Sequence, residues 1–430
     1  MYKKKKFNIA IVGLGTIGSH LYKYLEKNKE LLAKKTNIIP HISYVSAKNF
    51  KKKRNFKIPK NKWLKNYLDV TKKNDVDIIV ELIGGAEGPA KKLVFEALKN
   101  GKHVVTANKA LIAKYGDKLS HIAEKNRLNL EFEASVCGGI PIIRCIKEGL
   151  IANNIIKIQG ILNGTSNYIL SSMDKDKKSF KDALIKAQSL GYAESNPSSD
   201  LNGDDVAAKL KILSSLCFNS FLNHHIYVEG INTVDQIDIN NANKLGYKIK
   251  LIGVSEIYNN KLIQRVHPSL VKESSYIAGI NGVLNAVIVD GKPVGQSIIQ
   301  GEGAGPEATT SALISDISSI LRGNIKYPFA LSSKERKNIK VDSISNKNFS
   351  SYVRLDVTDR HGVLANITEY FAKNKVSLKR LIQNPIFTKK YSSIIIITHK
   401  TKDLHLMKTI SQLEKKKYII KKPKLIRIED

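Results

Sequence analysis

The segment 7–18 constrains the fold of this chain more than any other stretch of similar length. Residues 7–12 (FNIAIV) form a short apolar run that is typical of a buried strand. Residues 13–18 (GLGTIG) follow at once with the spacing G-x-G-x-x-G, and a helical period of apolar residues continues to Leu25. A strand, a tight glycine turn and a helix in this order begin a βαβ unit, so the pattern predicts an α/β fold with a parallel sheet.

Strands and helices alternate through the rest of the first third of the chain. We predict one helix with a proline near its start, at residues 89–98. Further apolar runs predict strands at 38–45, 76–82, 103–106 and 128–133. This alternation predicts a Rossmann-type doubly wound parallel sheet.

Beyond this sheet the sequence changes in texture, which predicts further domains. We assign the Rossmann domain to residues 1–135, with the loop and helix of 301–323 packing back on it. Residues 136–300 indicate a second, mixed α/β domain, in which residues 263–266 are predicted as a strand, and the polar, lysine-rich residues 324–350 indicate a linker. Residues 351–430 show the order strand, helix, strand, strand, helix, strand, which predicts a separate small domain.

The glycine motif predicts a dinucleotide site. Gly13 permits the tight turn, Gly15 lets the backbone approach a pyrophosphate, and Gly18 allows the helix to pack closely on the strand. The helix N-terminus at Thr16 and Ile17 supplies N–H groups and a partial positive charge for phosphates. The alternative is a glycine turn with a purely structural role.

The residues after the second strand favour NADP(H) over NAD(H). NAD binders usually carry an acidic residue about 20 residues after the motif, where it binds the ribose 2′-hydroxyl. Here no acidic residue occurs between Glu30 and Asp69, and the strand leads to Ser46, Lys48 and the basic run 51–54. We therefore predict an NADP(H) preference with Lys48 as the 2′-phosphate contact, while use of NAD(H) stays open. The alternative is that these lysines are only solvated surface.

The stretch before Lys209 is an acidic island in a strongly basic chain. The chain of 430 residues has a formal net charge of +33, yet no lysine or arginine lies between Lys186 and Lys209. Glu194, Asp200 and Asp205 lie in this stretch. A group of like charges is costly unless a cation fills it, so we predict a site for a small ligand with an ammonium group.

Two lysines are candidates for acid–base chemistry. Asp205 and Lys209 are four residues apart in a predicted helix and share one face, although an ordinary i,i+4 ion pair is the alternative. Lys109 follows the fourth strand, at the carboxyl edge where open α/β sheets bind ligands. A plain surface lysine is the alternative there. Burial or nearby positive charge would lower the pKa of such a lysine toward the range of proton transfer.

The composition excludes other classes of protein. No apolar run approaches the roughly 20 residues of a membrane helix. The cysteines, which lack CxxC or metal-ligand spacing and so suit a reducing cytoplasm, are Cys137, Cys145 and Cys217. The basic residues are scattered without an RNA- or DNA-binding motif, which favours solvated surface over nucleic-acid binding. We predict a cytoplasmic protein with no membrane and no nucleic-acid partner.

Five motifs, taken in order along the chain, resemble those of homoserine dehydrogenase. They are GLGTIG, VVTANKALI, EASVCGGIPII, GILNGTSNYIL and GYAESNPSSDLNGDDVAAK, and the match runs from about Phe7 to Arg322. The resemblance implies a reversible, NAD(P)-dependent interconversion of L-homoserine and L-aspartate 4-semialdehyde, on the route to threonine and methionine. It also implies that 136–300 is the substrate-binding, catalytic and dimerisation domain of a homodimer or homotetramer.

The resemblance also implies roles for single residues. Lys209 and Lys109 are implied as catalytic, with Lys209 as the proton donor and Lys109 also at the cofactor. The implied substrate-binding residues are Glu194, Asp200, Asp205, Asn163, Gly164 and Thr165. A monovalent-cation site for Na⁺ or K⁺, built mainly from backbone carbonyls and one carboxylate, is implied at Glu133, Val136, Gly138 and Ile140. The cofactor-binding residues implied beyond the glycine motif are Gly191 and Gly303.

Two segments depart from the family pattern. Glu302 stands where a basic residue is expected, and a proline is expected nearer Thr309. Residues 195–197 read Ser-Asn-Pro, where an aspartate directly before the proline is common. None of these changes removes a proposed catalytic group.

Residues 354–383 resemble an ACT domain, a small amino-acid-sensing module with a ferredoxin-like fold. The segment 359–364 (DRHGVL) matches its strand–turn–helix signature, with a histidine where proline is usual. The resemblance implies feedback inhibition by L-threonine. The implied effector residues, where turn N–H groups would bind a carboxylate, are Asp359, Gly362, Val363 and Leu364. The apolar face of the following helix, predicted as core, consists of Leu364, Ile367 and Phe371.

Two other hypotheses stay open on the residues alone. Another amino-aldehyde dehydrogenase would use Cys137 as a thiol nucleophile, although a small buried cysteine needs no such role. A catalytically silent, cofactor-bound sensor would use the C-terminal module for regulation. The presence of Lys109, Asp205 and Lys209 argues against a silent sensor. No aspartokinase segment precedes Phe7, so we expect a monofunctional form.

Overall fold

The computed structural model describes residues 5–386 and 391–429. Its first compact unit takes the described parts of Met1–Gly164 together with Asp205–His224 and Val283–Ile339. The second takes Thr165–Asp204, His225–Gly282 and the described parts of Lys340–Asp430. Residues 1–4, 387–390 and 430, which belong to the predicted first and last domains, lie outside the described residues. Because residues 136–300 fall in both units, the predicted division into domains stays a proposal.

The secondary structure follows the alternation of the sequence. The strands are β1 (Lys5–Val12), β2 (Ile38–Ser46), β3 (Ile78–Glu81), β4 (His103–Thr106), β5 (Leu130–Glu131), β6 (Asn154–Ile161), β7 (Tyr227–Val228), β8 (Tyr247–Tyr258), β9 (Lys261–Lys272), β10 (Leu284–Lys292), β11 (Gly295–Glu302), β12 (Asn348–Thr358), β13 (Leu378–Ile386), β14 (Tyr391–Thr398), β15 (Thr401–Lys402) and β16 (Lys424–Ile428). The α-helices are α1 (Thr16–Thr36), α2 (Asp69–Lys72), α3 (Pro89–Lys99), α4 (Lys109–Lys125), α5 (Ile142–Arg144), α6 (Gly164–Asp176), α7 (Phe180–Ser189), α8 (Ser198–Asn202), α9 (Asp204–Phe218), α10 (Gln236–Lys244), α11 (Pro306–Leu321), α12 (Val363–Lys373) and α13 (Asp403–Glu414). No helix of the described chain has the length and apolarity to cross a membrane.

The first unit contains a five-stranded parallel sheet in the order β2-β1-β3-β4-β5. Ile9 and Ile11 of β1 pack with Leu21 of α1 and Leu313 of α11 in one core. Ala10, which points to the opposite face, is also fully buried, so both faces of the sheet are covered. The predicted doubly wound parallel sheet is confirmed, and α11 packs on it from a distant part of the sequence.

The fifth strand is shorter than its apolar run suggests. The prediction of 128–133 was too long, because only Leu130–Glu131 pairs with β4. The chain then turns into a 3₁₀ helix at Glu133–Ser135. The side chain of Asp316 on α11 accepts the backbone N–H of Glu133 at 2.9 Å, which draws this residue away from the strand ladder.

The lysine-rich segment 324–350 is anchored at Arg336. This residue is 3% exposed. Its guanidinium donates to Asp117 of α4, to the hydroxyl of Ser215 on α9 and to the carbonyl of Ser220. At Arg336 the predicted linker is therefore packed against α4 and α9 of the first unit and is not a solvent-exposed connection.

The second unit is organised around a long antiparallel hairpin. β8 and β9 pair along their whole lengths, and Asn259 and Asn260 form the turn with positive φ angles of 49° and 60°. β9 also pairs in parallel with β16, so that one sheet runs in the order β8-β9-β16-β12-β14-β13. Only residues 263–266 of this hairpin were singled out as a strand from the sequence, which was too short.

The C-terminal module has the predicted order β12-α12-β13-β14-α13-β16, with the short β15 before α13. Val363, Ile367 and Phe371 of α12 lie in its core. The prediction that Leu364 is a core residue was wrong, because this side chain is 37% exposed. The buried stripe starts one residue earlier, at Val363, and repeats every four residues.

Buried arginines join the module to the rest of the second unit. Arg265 of β9 is fully buried and donates to Glu429 at 2.6 and 2.8 Å. Arg354 of β12 donates to Asp238 of α10 at 2.7 Å. The module is therefore tied by charged hydrogen bonds as well as by the shared sheet.

Candidate active site

The glycine loop after β1 leaves room for a ligand at one position. Gly13 has a φ of +104°, and a Cβ on it would collide with the carbonyl of Leu82. A Cβ on Gly18 would collide with the carbonyl of Gly13. A Cβ on Gly15 would meet no heavy atom within 4 Å, and Gly15 caps α1, whose first turn carries no acidic residue. This open helix N-terminus at Gly15, Thr16 and Ile17 fits a pyrophosphate.

The basic residues after β2 divide into two groups. The guanidinium of Arg54 donates to the carbonyls of Lys52 at 2.9 Å and Asn49 at 3.1 Å, and it lies 5.1 Å from the ring centroid of Trp63. Arg54 therefore holds its own loop together. Lys48, two residues beyond the end of β2, is exposed and suits contact with a phosphate.

Lys109, Asp205 and Lys209 come together in the first unit. Lys109 is the first residue of α4, and the other two lie one turn apart on α9. The Asp205 carboxylate is 2.9 Å from the Nζ of Lys109 and 2.8 Å from the Nζ of Lys209. The side chains of Asp205 and Lys209 are 5% and 10% exposed, whereas that of Lys109 is 42% exposed. One buried carboxylate thus holds two ammonium groups, one buried and one open to solvent.

The loop after β6 closes this cluster. The side-chain amide of Asn163 donates to Asp205 at 2.8 Å. The Nζ of Lys209 donates to the carbonyl of Leu162 at 2.6 Å. Gly164 is required where it stands, because a Cβ on it would lie 2.7 Å from the carbonyl oxygen of Val283.

The pKa of Asp205 reflects two opposing effects. Burial on its own raises the pKa of this carboxyl. The charges of Lys209 and Lys109, with the hydrogen bond from Asn163, outweigh burial and hold the pKa well below its ordinary value. Asp205 is therefore an anion at physiological pH and forms an ion pair with each of the two lysines.

The other predicted substrate residues lie in the second unit. The hydroxyl of Thr165 donates to the carbonyl of Tyr192 at 2.6 Å, which ties Thr165 to the turn that contains Gly191. Gly191 has a φ of +74° just after the end of α7, so its backbone conformation explains the glycine. Glu194 is exposed in the loop that follows, and Asp200 is half-buried in α8.

The predicted cation residues lie in and after the 3₁₀ helix that follows β5. The Glu133 carboxylate accepts the N–H groups of Ile143 at 2.8 Å and Arg144 at 2.7 Å. Burial raises the pKa of Glu133 to about 7, although these two donors oppose the rise. Both oxygens of Glu133 therefore accept N–H groups from the start of α5. The remaining oxygen ligands for a cation in this turn are backbone carbonyls.

Backbone carbonyls of that turn differ in their hydrogen bonding. The carbonyl of Glu133 accepts the N–H of Val136, and that of Ile140 accepts the N–H of Ile142. Within the described residues, the carbonyls of Val136 and Gly138 accept no backbone hydrogen bond. Gly138 has a φ of +38°, and a Cβ on it would lie 2.8 Å from the carbonyl oxygen of Gly303. The turn is shaped by close backbone contact and retains two carbonyl groups for a ligand.

The loop between β11 and α11 packs on a buried amide. A Cβ on Gly303 would collide with the side chain of Asn285 on β10, so the backbone comes as close as glycine permits. Glu302, the residue that departs from the family pattern, is exposed. Burial also raises the pKa of the neighbouring Cys137 thiol, which disfavours its use as a thiolate nucleophile.

Sequence reasoning missed Glu81, Thr106 and Asn108. Glu81 and Thr106 are fully buried at the ends of β3 and β4, and Asn108 caps α4 directly before Lys109. A signal existed for one of them, since an acidic residue at the end of an apolar parallel strand requires a specific partner. That partner cannot be identified from sequence spacing.

The predicted effector residues surround the start of α12. Gly362 is the N-cap of α12 with a φ of +80°, and Asp359 and Leu364 are exposed on either side of it. Val363 is buried in the core of the module instead. Only the backbone of Val363 is therefore available to an effector. Asp359 and Leu364 are both accessible to solvent.

Three family models match successive parts of the chain. A family model for the NAD binding domain of homoserine dehydrogenase matches residues 13–133, and one for homoserine dehydrogenase matches 141–318. A model for the ACT domain matches residues 351–416. Together these models account for most of the chain.

Individual proteins match the chain over its full length. It is 38% identical over 435 residues to the homoserine dehydrogenase of Neisseria gonorrhoeae, which covers 99% of both chains. It is 38% identical over 428 residues to that of Helicobacter pylori, with 99% of this chain and 100% of the other covered. The solved structure of a homoserine dehydrogenase from Thiobacillus denitrificans superposes with a TM-score of 0.92 at 36% identity and covers 99% of each chain.

Proposed function

Because this chain belongs to the homoserine dehydrogenase family and is an NAD(P)-dependent oxidoreductase, we propose that Lys109, Asp205 and Lys209 form its acid–base centre. The reaction interconverts L-homoserine and L-aspartate 4-semialdehyde. The observation that carries the proposal is the single buried carboxylate bonded to two lysines at 2.9 and 2.8 Å.

Each member of this centre has a distinct task. When bound, the nicotinamide supplies the hydride that adds to the aldehyde carbon, or accepts it in the reverse direction. Lys209 gives the proton to the carbonyl oxygen during reduction and takes it back from the hydroxyl during oxidation. Lys109, the more exposed lysine, polarises the same oxygen. Asp205 holds both amines in place through its two ion pairs.

We assign the substrate's amino end to the carboxylates. Glu194, Asp200 and Asp205 supply negative charge for the ammonium group, and this assignment rests on their charge and on the sequence motif. Asn163 and Gly164, next to the acid–base centre, and Thr165 are assigned to the substrate on a different motif, GILNGTSNYIL. Asn163 is supported further by its hydrogen bond to Asp205.

The experiment is NADPH oxidation with L-aspartate 4-semialdehyde by the wild type and by Lys209→Ala, Lys109→Ala and Asp205→Ala. Loss of a positioned proton donor lowers kcat by roughly 10²–10⁴-fold, and we expect Lys209→Ala in this range. Lys118→Ala is the matched control, because Lys118 is an exposed lysine on the same helix as Lys109. Near-normal kcat in Lys209→Ala would refute its assignment as proton donor.

Lys48 makes NADP(H) the preferred cofactor in this proposal, with Gly13, Gly15, Gly18, Gly191 and Gly303 as further cofactor contacts. Its support is that Lys48 is exposed two residues beyond β2, with no carboxylate in the segment 31–68 to repel a 2′-phosphate. We expect Lys48→Ala to lower kcat/KM for NADPH by about tenfold, the size of one charged hydrogen bond, and to leave NADH nearly unaffected. Lys57→Ala is the control. Comparable kcat/KM for both cofactors in the wild type would contradict the preference.

A monovalent cation, Na⁺ or K⁺, fits the turn at Glu133, Val136, Gly138 and Ile140. The carbonyls of Val136 and Gly138 are neutral oxygen donors that suit a hard ion of low charge. No group of three or more histidine, cysteine or carboxylate side chains that could hold a metal occurs in the described chain. The ion would fix the backbone of this turn. Measuring kcat in potassium, sodium and tetramethylammonium chloride tests the site, since equal rates would exclude it.

The C-terminal module is proposed to bind L-threonine and to reduce activity when it does. The open N-terminus of α12 at Gly362 suits a carboxylate, and the exposed Asp359 suits an ammonium group. Calorimetry with L-threonine tests this, with Asp359→Ala expected to weaken binding. Absence of both binding and inhibition by L-threonine would refute it.

The enzyme is also proposed to be a cytoplasmic homodimer or homotetramer. Its free cysteines suit a reducing compartment, and they are Cys137, Cys145 and Cys217. Light scattering of the purified protein tests the assembly, and a mass near 47.9 kDa would indicate a monomer instead.

A further inference from the structure

A chain of hydrogen bonds joins the loops that follow β3 and β4. The hydroxyl of Thr106 donates to the Glu81 carboxylate at 2.5 Å, and the N–H of Asn108 donates to the Thr106 hydroxyl at 3.0 Å. The side-chain amide of Asn108 then donates to the carbonyl of Gly85 at 2.7 Å. Because Gly85 lies in the loop that Glu81 begins, the chain closes on itself and the two loops are held as one body.

Glu81 is held by hydrogen-bond donors rather than by a cation. It is fully buried, and its second oxygen accepts the N–H groups of Ile83 at 2.8 Å and Gly84 at 3.0 Å. Over residues 5–386 and 391–429, Glu81 forms no ion pair with a lysine, arginine or histidine. A buried carboxyl with these donors fixes its loop tightly, since loss of one donor leaves a costly unpaired group.

The chain of hydrogen bonds ends at the backbone that carries Lys109. Asn108 is the N-cap of α4, where its side-chain oxygen accepts the N–H of Leu111 at 3.0 Å. Lys109 follows as the first helical residue. Its amine lies 2.9 Å from the Asp205 carboxylate, so a displacement of the first turn of α4 moves the root of this side chain relative to Asp205.

We propose that Glu81, Thr106 and Asn108 are positioning residues that hold Lys109 against Asp205 through the first turn of α4. The proposal rests on the role of Lys109 proposed above. In the described structure these three side chains make no hydrogen bond to the amine of Lys109 or to Asp205, so they act through the backbone alone.

The first measurement compares Thr106→Val with Thr106→Ser at saturating NADPH. Valine has the shape of threonine without the hydroxyl that links Glu81 to Asn108, whereas serine keeps that hydroxyl. A displacement of about 1 Å at a reacting group can cost about 10²-fold in rate, so we expect kcat to fall between about tenfold and 10²-fold in Thr106→Val. Serine should restore most of the rate. Normal kcat in Thr106→Val would overturn the proposal.

The second measurement asks whether the loss acts through Lys109. We expect Thr106→Val to cause no further loss of kcat when it is added to Lys109→Met, because the lysine it positions is already gone. An equal loss in both backgrounds would show a general structural effect and would overturn the proposal. Near-normal kcat in Lys109→Met alone would instead remove the proposed acid–base role of this lysine.

Asn108→Asp gives the same test if Thr106→Val does not fold. Aspartate keeps the oxygen that caps α4 at Leu111 but loses the donor to the carbonyl of Gly85. We expect the same pattern, in which kcat falls in the wild-type background and stays unchanged in Lys109→Met. A loss that persists in Lys109→Met, or normal kcat in Asn108→Asp alone, would overturn the proposal.

Discussion

At the scale of single residues, Asp205 shows how a buried carboxylate is kept ionised by neighbouring lysines. Burial alone favours its neutral form, and two lysines and an amide reverse that preference. Such a carboxyl has a lowered folded-state pKa, so its contribution to stability is present at neutral pH and is lost only as the pH falls through that low value. We therefore expect no loss of activity from protonation of Asp205 in the physiological pH range.

Lys250 of β8 provides a test of buried charge at residue scale. It is 3% exposed, its ammonium donates to Asn281 at 2.9 Å, and burial lowers its pKa from 10.5 to about 8. Because its folded-state pKa is lowered, the contribution of Lys250 to the free energy of unfolding is greatest above pH 10.5. That contribution is lost as the pH falls through about 8. We therefore expect the wild-type melting temperature to rise relative to that of Lys250→Met between pH 8 and 10.5.

The control for this experiment is Lys244→Met, which removes an exposed lysine from α10. Its melting temperature should follow the wild type at every pH. Parallel pH profiles for Lys250→Met and the wild type would mean that the charge of Lys250 is not desolvated in the folded protein.

The sequence predicted that Lys109, Asp205 and Lys209 are functional residues, but it did not predict the contacts among all three. Asp205 and Lys209 share a helix, so their contact follows from spacing alone. Lys109 is about a hundred residues away, and only the fold brings its amine to Asp205. Leu364 shows the opposite failure, since a helical period does not say which of two adjacent apolar residues faces the core.

At the scale of elements, the glycine turn before α1 separates packing from binding. Gly18 lacks room for a Cβ, whereas Gly15 has room and a φ of −74° that alanine accepts. We expect Gly18→Ala to lower the melting temperature. Gly15→Ala should keep the melting temperature and weaken NADPH binding by at least about tenfold, because its methyl group occupies the approach to the helix N-terminus.

Melting curves and NADPH fluorescence titrations measure the two effects separately. Gly101→Ala is a control at a turn outside the glycine loop. Its φ of +73° makes alanine unfavourable, so this variant should lower the melting temperature without changing NADPH affinity. Unchanged NADPH affinity in Gly15→Ala would place the pyrophosphate elsewhere.

Element-scale prediction depended on how apolar each strand is. The parallel strands β1, β3 and β4 are nearly continuous apolar runs, and the sequence revealed them. Most of β9 was not predicted as a strand, because polar residues interrupt its apolar run. These are Arg265, His267 and Ser269, and all three are fully buried. Their partners, such as Glu429, are supplied by distant parts of the chain.

At the scale of the whole molecule, the C-terminal module depends on charged pairs within the second unit. Glu429 bonds to Arg265 through both oxygens, and both side chains are buried. Removing one partner of a buried pair leaves an uncompensated charge and costs roughly 3–5 kcal/mol. We expect Glu429→Ala to lower the free energy of unfolding by about that amount, as measured by urea denaturation.

Glu414→Ala is the matched control, because Glu414 is an exposed glutamate at the end of α13. Its effect should stay within about 0.5 kcal/mol. If Glu429→Ala is as stable as this control, the pair adds nothing to the attachment of the module.

The amino-acid sequence alone predicts the sheet type, the dinucleotide loop, the family and the residues of the proposed acid–base centre, because each is encoded by local periodicity or by short motifs. Only the folded structure shows the contact of Lys109 with Asp205, the network from Glu81 to Asn108 and the buried arginine pairs. These contacts join residues from about 25 to 164 positions apart. Burial and charge pairing depend on which surfaces the folded chain brings together, and no short pattern in the sequence carries that information.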